Sequence, residues 1–324
     1  MAAATQAPPA GACLGRDDAV VACALAATRA AAVAAAEWAG RGDRHAADAA
    51  ATSAMRAALA TAGTGIVVTG EGAKDDAPML ADGELTGYGR VPDFDIAVDP
   101  LECSELCAAG LPGALSTIAI APQGSLWSPG PAFYMDKLVL PPAAAGAAVI
   151  TDPPEAIVGN VAQALDKKVA EMRVVVLDKP RHKTLVARLR SIGAAVVTPP
   201  AGDVAGAMLV LLPDGDADLL LGIGGTPEGV LAACAARALG GGMQARIAPQ
   251  RDDERERVKA AGLDTGRALA LEELVRADGV FIATGVTGGL LAAPRRRAGW
   301  LQTDSIVIAH GAFQLVHHST PTEE

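Results

Sequence analysis

Short apolar runs that alternate with helical patterns fill the second half of the chain and limit the folds open to it. Runs at residues 174–177, 194–197 and 218–221 are each followed by a helical pattern. Strand and helix in alternation predict an α/β domain with a parallel-type sheet. Proline-rich turns at residues 141–146 and 152–154 form the boundary in front of this domain.

The first half of the chain has a different pattern. Two helical patterns, at residues 18–39 and 46–62, precede short apolar runs at residues 65–69, 94–98 and 116–121. Gly and Pro turns separate these runs. This order predicts helices packed on a largely antiparallel or mixed sheet, which is an α+β arrangement.

These two patterns predict two domains, an N-terminal α+β domain at residues 16–150 and a C-terminal α/β domain at residues 151–318. A chain of 324 residues is long enough for both. Residues 1–15, rich in Pro and Ala, and the polar residues 319–324 are predicted to be disordered.

Charge and cysteine usage exclude several classes of protein. A net charge of −10 argues against nucleic acid or anionic membranes as partners. The five cysteines are odd in number and unevenly spaced, which favours free thiols in a reducing cytoplasm. Cys103 and Cys107 lie four residues apart, and two small buried thiols are favoured over a metal or redox pair. Arg29 and Glu37 interrupt the Ala-rich residues 17–40, so this stretch predicts a helix of a soluble, cytoplasmic protein.

Two carboxylates three residues apart carry the first sign of chemistry. Asp99 and Glu102 flank a proline turn at the end of a predicted strand, and the hydroxyl of Ser104 follows. Upstream, Glu71 stands between two glycines after another predicted strand. Mg²⁺ and Mn²⁺ prefer oxygen ligands and keep positions open for water and phosphate oxygens. The pattern predicts metal-dependent hydrolysis of a phosphate ester.

A glycine-rich segment at residues 221–229 joins a predicted strand to a predicted helix. Thr226 suits the N-cap of this helix and Pro227 its first position. The glycines let backbone amides approach a phosphate or a sugar at the helix N-terminus. A dinucleotide fingerprint is the weaker alternative, because Pro227 stands where a third small residue belongs.

A basic segment at residues 179–183, Lys-Pro-Arg-His-Lys, follows the 174–177 run. Basic groups at a strand end can hold a second phosphate. A solvated helix start explains the same residues equally well. His182 has a basic ring nitrogen, but no nucleophile pairs with it in the sequence.

Seven motifs in order identify a resemblance. The chain resembles the class II fructose-1,6-bisphosphatases, members of the lithium-sensitive sugar and inositol phosphatase superfamily, from about residue 37 to residue 316. The motifs are Trp38-Ala-Gly-Arg-Gly-Asp43, Gly70-Glu-Gly-x-x-Asp75-x-Ala-Pro-Met79, Asp95-Ile-Ala-Val-Asp-Pro100, Tyr134-Met-Asp-Lys137, Lys179-Pro-Arg-His182, Gly222-Ile-Gly-Gly-x-Pro-Glu-Gly229 and Ala283-Thr-Gly-Val-Thr287.

The resemblance implies a layered α-β-α-β-α sandwich and a homo-oligomer, a dimer or a tetramer. It implies removal of the 1-phosphate from a sugar bisphosphate with Mg²⁺ or Mn²⁺, with Asp75 and Ser104 as the catalytic pair that activates water. The metal ligands it implies are Asp48, Glu71, Asp99, Glu102 and Glu228. The substrate contacts it implies are Glu102, Cys103, Ser104, Tyr134, Lys179, Pro180, Arg181, Gly202, Asp203 and Gly225.

The chain departs from the family pattern at the positions that hold the substrate. Cys103-Ser104 replaces Gly-Thr, so a Cβ stands where backbone amides approach a phosphate. Ala201 replaces the first acid of an Asp-Gly-Asp sugar-contact loop. Elsewhere, Ala49 replaces a glycine and Gly288 an aspartate. A missing acid weakens hydroxyl recognition or changes which sugar fits.

Three functions fit this pattern. An active phosphatase is favoured, with fructose 1,6-bisphosphate or a related sugar such as sedoheptulose 1,7-bisphosphate as substrate. A catalytically weakened homologue with a regulatory or structural role is the alternative. An inositol monophosphatase is disfavoured, because residues 179–181 suggest a site for a second phosphate.

Overall fold

The strands of the protein form two sheets with helices on their faces. The structure, a computed structural model, describes residues 18–61, 63–70 and 80–322. The helices are α1 (Asp18–Ala36), α2 (Arg44–Leu59), α3 (Ser104–Ala108), α4 (Pro154–Ala164), α5 (Lys183–Ser191), α6 (Asp203–Leu211), α7 (Thr226–Leu239), α8 (Asp252–Ala260) and α9 (Leu271–Leu274).

The strands of the first sheet come from both ends of the chain. They are β1 (Gly65–Thr69), β2 (Leu85–Thr86), β3 (Phe94–Glu102), β4 (Leu115–Pro122), β11 (Val280–Gly285), β12 (Arg295–Arg297), β13 (Trp300–Ala309) and β14 (Ala312–Pro321). Their order is β12-β13-β11-β4-β3-β1-β2, and β14 pairs with β13. Only the β1–β3 pairing of this sheet is parallel in the part of the chain that the structure describes. The predicted mixed, largely antiparallel sheet is confirmed.

The second sheet lies in the middle of the sequence. Its strands are β5 (Tyr134–Leu140), β6 (Arg173–Val175), β7 (Ala195–Val197), β8 (Leu219–Gly225), β9 (Gly242–Ile247) and β10 (Ala268–Ala270). They run in the order β10-β9-β5-β8-β6-β7. The predicted parallel arrangement holds for β7, β6 and β8. The pairings of β5 with β8 and β9 are antiparallel, so this sheet is mixed.

Alternate residues of each strand separate the core into layers. On β3, Ala97 packs toward the helices between the two sheets, whereas Ile96 packs toward α1 and α2 on the outer face. On β5, Met135 joins the layer between the sheets, and Leu138 packs toward α4 on the far face. The result is the predicted α-β-α-β-α sandwich.

Small side chains let the central helices approach both sheets closely. Helix α7 contributes a run of buried alanines between Ala232 and Ala238, and Ala97 and Ala119 face the same cluster from the first sheet. Helix α1 likewise buries Ala27 and Ala31. An Ala-rich chain with few aromatic residues can therefore fill a three-layer core, because alanine contacts replace interlocking large side chains.

The division into sheets does not coincide with the predicted domain boundary at residue 150. Strand β5 precedes this position but belongs to the second sheet, and strands β11 to β14 return to the first sheet. The predicted disorder of residues 319–324 is wrong for Ser319 to Pro321, which pair with β13. Thr320 also accepts a hydrogen bond from Arg29 of α1 at 3.3 Å. Residues 1–15, also predicted to be disordered, lie outside the described residues.

Helix α1 is long and apolar enough to cross a membrane. Its window Ala19–Ala36 is the only one in the described part of the chain that meets this test. Its buried face packs on the first sheet, and Arg29 donates a 3.0 Å hydrogen bond to Thr303 of β13. The core helix of a soluble protein satisfies the same test of length and composition.

The close approach of α6 to the second sheet gives the first prediction. A Cβ added at Gly206 lies 2.9 Å from Leu220 Cδ1 and 3.0 Å from Val175 Cγ1, whereas one at Gly159 of α4 meets nothing within 4 Å. We expect Gly206→Ala to lower the free energy of unfolding by about 1 kcal/mol, since overpacking outweighs the better helix propensity.

The matched variant is Gly159→Ala, which we expect to raise the free energy of unfolding by up to about 1 kcal/mol. Urea denaturation of both variants and the wild type measures the difference. Equal shifts in the two variants would contradict the close packing of α6.

Candidate active site

A β-bulge brings the two predicted carboxylates of β3 to the same end of the first sheet. Asp99 pairs with Thr117 and Glu102 with Leu115, so two residues of β3 oppose one residue of β4. The extra residue changes the direction of the side chains that follow. Pro100 is tolerated at a bulge because it has no N–H to donate. The predicted proline turn is therefore a bulge inside a longer strand.

The carboxylates of three distant segments line one cleft of about 430 Å³. Asp99 comes from β3, Asp48 from α2 and Glu228 from the first turn of α7. Cys103 and Ser104 line the same cleft, and their predicted roles stay predictions. The lining also includes Arg44, His45, Leu101, Glu105 and Ala201.

Glu102 lies behind this cleft and is buried. One carboxylate oxygen, Oε1, accepts a 2.8 Å hydrogen bond from the N–H of Val204 at the start of α6. Burial raises the pKa of the Glu102 carboxyl to about 8 against the effect of that hydrogen bond, and the charges of Glu228 and Asp203 raise it further, while Lys137 lowers it. Glu102 therefore belongs to a compact group of acids with one nearby cation.

Cys103 connects the bulge to α3 in a conformation that favours glycine. Its φ is 67° and its ψ is 45°, in the left-handed region. The thiol reaches toward Gly202, where an added Cβ would lie 3.6 Å from Cys103 Sγ. Burial raises the pKa of the Cys103 thiol, and the neighbouring acids Glu102 and Asp99 raise it further. The thiol is therefore protonated and packs as a small neutral group.

Cys107 stands four residues further along, inside α3. It is buried, and its thiol donates a 3.5 Å hydrogen bond to the carbonyl oxygen of Ala35. Both thiols are free in the structure. The interpretation as two small packed thiols is favoured over a redox pair, because the Cys107 thiol contacts α1 rather than Cys103.

The carboxylate of Asp203 is held by a buried lysine. Lys137 Nζ lies 2.5 Å from Asp203 Oδ2 and 2.8 Å from the carbonyl oxygen of Gly225. The chain passes so close here that a Cβ at Gly224 would lie 1.7 Å from the same Asp203 oxygen. The predicted contact of Asp203 with a sugar stays a prediction, and this structure shows its ion pair with Lys137.

The basic segment is organised around Ile223 of β8. Arg181 donates hydrogen bonds of 3.0 and 2.7 Å to the carbonyl oxygen of Ile223, and its guanidinium lies 5.3 Å from the ring centroid of Tyr134. Lys179 is half-buried and Pro180 is exposed. Tyr134 pairs directly with Gly225 across β5 and β8. Arg181 and Tyr134 thus contact each other and the glycine-rich segment.

His182 is hydrogen-bonded to the same segment at Ile223. Both of its ring nitrogens have backbone partners, so it is not placed to act as a base. Its Nδ1 lies 2.8 Å from the carbonyl oxygen of Leu177, and its Nε2 accepts a 2.8 Å hydrogen bond from the N–H of Ile223. Burial lowers the pKa of His182. Gly222, with a φ of 126°, has no room for a Cβ beside the ring. The histidine therefore fixes the part of β8 around Ile223, to which Arg181 is also hydrogen-bonded.

The acids fit a hard divalent cation. Glu102 Oε2 and Glu228 Oε2 are buried and have no hydrogen-bond partner among the described residues. Carboxylate oxygens of this kind are ligands for Mg²⁺ or Mn²⁺. No group of three or more His, Cys, Asp or Glu side chains closes into a cage within residues 18–61, 63–70 and 80–322. Asp48, Asp99 and Glu228 share a cleft, but the described side chains do not converge on one metal position.

Two predicted site residues, Glu71 and Asp75, lie outside the described residues. Strand β1, which precedes Glu71, runs parallel to β3, which carries Asp99. The strands that lead to Glu71 and Asp99 are therefore neighbours, and the proximity of the two acids stays a prediction. Sequence reasoning missed Lys137 as a site residue, although it ends a quoted motif. It also missed Arg44 and His45, which precede Asp48 on the same helix.

A layered α-β-α-β-α sandwich with a carboxylate-lined cleft between its sheet ends is the architecture of the metal-dependent sugar phosphatases. Comparison with known proteins identifies the family. The family model described as bacterial fructose-1,6-bisphosphatase, glpX-encoded, matches residues 19–319. The chain is 40% identical over 304 residues to fructose-1,6-bisphosphatase 1 class 2 of Escherichia coli K12, covering 89% of this chain and 90% of the relative.

The same identity and coverage apply to the fructose-1,6-bisphosphatases class 2 of Escherichia coli O6:H1 and Shigella flexneri. The chain belongs to the class 2 fructose-1,6-bisphosphatase family. It is a phosphoric monoester hydrolase, and family membership implies dependence on a divalent metal ion.

The left-handed backbone at Cys103 gives the second prediction. A residue with a Cβ costs roughly 1–2 kcal/mol in this conformation, whereas glycine adopts it freely. We expect Cys103→Gly to be more stable than Cys103→Ala by about 1 kcal/mol, because both remove the thiol and only alanine keeps the strain. Urea denaturation of the two variants measures this difference.

Cys107 provides the matched control, because it lies inside α3. There the order of the same two substitutions should reverse, with alanine more stable than glycine by about 1 kcal/mol. A Cys103→Ala variant as stable as Cys103→Gly would contradict strain at residue 103.

Proposed function

We propose that this protein removes the 1-phosphate from a sugar bisphosphate, fructose 1,6-bisphosphate or a related sugar such as sedoheptulose 1,7-bisphosphate. The observation that carries the proposal is the shared cleft of Asp48, Asp99 and Glu228 with the hydroxyl-bearing Ser104. These residues come from three separate segments, so their convergence is a property of the fold. The family membership of the chain supports the same reaction.

The proposed ligands of Mg²⁺ or Mn²⁺ are Asp48, Glu71, Asp99, Glu102 and Glu228. The unpartnered buried oxygens of Glu102 and Glu228 support this assignment. Bound divalent ions supply positive charge for the phosphate oxygens and lower the pKa of a bound water. Asp99 and Glu102 are buried, so charge at their oxygens acts more strongly than it would in water.

Ser104 and Asp75 are the proposed catalytic pair. Ser104 lies at the start of α3 and lines the cleft, where a hydroxyl can orient a water molecule. The carboxylate of Asp75 takes the proton from that water as its oxygen bonds to phosphorus. The bond between phosphorus and the C1 oxygen breaks at the same time, the C1 oxygen takes up a proton from solvent, and the sugar and inorganic phosphate then dissociate. This requires the water and the C1 oxygen to lie on opposite sides of phosphorus.

The second phosphate is the proposed partner of Lys179, Pro180, Arg181 and Tyr134. Arg181 is already oriented by two hydrogen bonds to Ile223 and by the Tyr134 ring. A guanidinium held in this way loses little freedom when it binds a phosphate. Preorganisation at this position favours bisphosphates over inositol monophosphate.

The sugar itself is proposed to bind against Glu102, Cys103, Gly202, Asp203 and Gly225. Ala201 lines the cleft where the family pattern has an acid, and a second, apolar cavity of about 300 Å³ begins at the same residue. A site without that carboxylate loses discrimination among sugar hydroxyls. This supports a substrate range that extends beyond fructose 1,6-bisphosphate.

We further propose a homo-oligomer, a dimer or a tetramer, in the cytoplasm. The net charge of −10 supports the absence of nucleic acid and anionic membranes among its partners. The free thiols of the described cysteines are consistent with a reducing compartment.

Phosphate release from a substrate panel tests the proposal. With Mn²⁺ or Mg²⁺, we expect release from fructose 1,6-bisphosphate and sedoheptulose 1,7-bisphosphate and far slower release from inositol 1-phosphate. Chelation with EDTA should abolish the activity, and added metal should restore it. Intact metal binding without release from any substrate would refute the enzyme and favour a weakened homologue.

The role of Asp75 gives a separate prediction. Because general base catalysis contributes about 10²- to 10⁴-fold, we expect Asp75→Asn to lower kcat by at least roughly 100-fold. The KM for the sugar bisphosphate should change little. The adjacent Asp76→Asn removes an equal charge next to it and should leave kcat within a few-fold of wild type. A fully active Asp75→Asn variant would overturn the assignment.

A further inference from the structure

A buried lysine lies at the centre of the site but has no role in the reaction proposed above. Lys137 is in the middle of β5, between β8 and β9, and its side chain is 1% exposed. Its aliphatic stem packs beneath α7, since a Cβ at Gly229 would lie 3.3 Å from Lys137 Cδ. A buried ammonium is costly unless it is paired and hydrogen-bonded. The groups that pair with Lys137 Nζ therefore indicate which parts of the structure it holds in place.

The first partner connects Lys137 to Glu102. Asp203, whose Oδ2 lies 2.5 Å from Lys137 Nζ, is the first residue of α6. The next residue, Val204, donates its N–H to Glu102 Oε1 at 2.8 Å. The position of the α6 N-terminus thus determines the position of the Glu102 carboxylate, and Lys137 anchors that N-terminus.

The second partner connects Lys137 to Glu228. Gly225, whose carbonyl oxygen lies 2.8 Å from Lys137 Nζ, is the N-cap residue of α7. The Glu228 carboxylate folds back onto this residue, because a Cβ at Gly225 would lie 1.8 Å from Glu228 Oε2. Anchoring the Gly225 peptide therefore fixes the surface on which the Glu228 carboxylate rests.

The charges require such an anchor. Asp203, Glu102 and Glu228 lie close enough together that negative charge on one of them opposes negative charge on the others. One ammonium between the two helix starts reduces that repulsion while leaving Glu102 Oε2 and Glu228 Oε2 without partners. The two oxygens remain available to a cation.

We infer that Lys137 is a positioning residue of the metal site, which holds the starts of α6 and α7 together and thereby places Glu102 and Glu228. This inference rests on the proposed function, in which these two acids bind Mg²⁺ or Mn²⁺. It adds a residue that contacts neither metal nor substrate.

The affinity of the Lys137→Met variant for Mn²⁺ tests the inference. The electron paramagnetic resonance signal of free Mn²⁺ measures this affinity. Methionine fills a similar volume without charge or donors. We expect affinity for Mn²⁺ to fall by about 10- to 100-fold, the usual effect of removing a group that supports metal ligands. At limiting Mn²⁺ phosphate release should fall, and a hundredfold excess of Mn²⁺ should restore most of kcat.

Lys167→Met is the matched control. Lys167 Nζ also lies 2.5 Å from a buried carboxylate, that of Asp218, and neither residue lines the cleft, but the Lys167 side chain is 42% exposed, against 1% for Lys137. This variant loses an ion pair of the same length at a more exposed lysine and should bind Mn²⁺ within about twofold of wild type. A merely structural role of Lys137 would lower the melting temperature in both variants and leave both affinities unchanged.

Lys137→Gln serves if the methionine variant does not fold, because its amide keeps a donor for Gly225 without the charge. We expect weaker Mn²⁺ binding than in wild type. A folded variant of either kind with wild-type affinity for Mn²⁺ would overturn the inference. Failure of the wild-type protein itself to bind Mn²⁺ would instead overturn the proposed metal site.

Discussion

The concentration of like charge at one end of two sheets is the constraint on which the rest of the site depends. Glu102 and Asp203 are buried, and Glu228 and Asp99 belong to the same electrostatic group around Cys103. Acids in such a region separate or take up protons unless positive groups compensate them. Lys137 and the N–H of Val204 at the start of α6 supply part of that compensation. We expect a bound divalent cation to compensate the negative charge that remains.

The sandwich places Lys137 and the start of α6 close to the acids because small side chains keep the layer between the two sheets thin. Helices α6 and α7 start at the same end of the second sheet, and both begin beside glycines that pass close to carboxylates. Alanines along α7 and on β3 allow the sheets to approach the layer between them. Larger side chains in this layer would separate the sheets and move Lys137 away from the start of α6. The Ala-rich composition and the geometry of the site are therefore coupled through packing.

Local patterns predicted most elements, and they failed where a pattern had two meanings. The bounds of β1 agree with its apolar run, and α7 begins only one residue before the predicted position. Pro100 indicated a turn, although a bulge lets β3 continue to Glu102. Strands β12 to β14 were missed, and no local pattern shows that they return to the first sheet. Asp99 and Glu102 were identifiable from spacing, whereas Asp48 required the resemblance. Lys137 escaped notice because lysine inside a strand is usually a surface residue.

Two departures from the family pattern, Cys103 and Ala201, lie in the lining of the cleft, whereas Ala49 and Gly288 do not. Asp48, Asp99 and Glu228, the proposed metal ligands, line the same cleft, and Cys103 and Ala201 stand there in place of a glycine and an acid of the family pattern. The Cys103 thiol is kept neutral by burial and by the neighbouring acids, so it contributes surface rather than reactivity. Beyond Ala201 the wall continues into an apolar cavity formed by Leu106, Pro199 and Pro200. In the proposed binding mode, a sugar has its phosphate beside the acids and its carbon chain beside this apolar cavity. We therefore expect selection among substrates to depend on shape along the carbon chain more than on hydrogen bonds to individual hydroxyls.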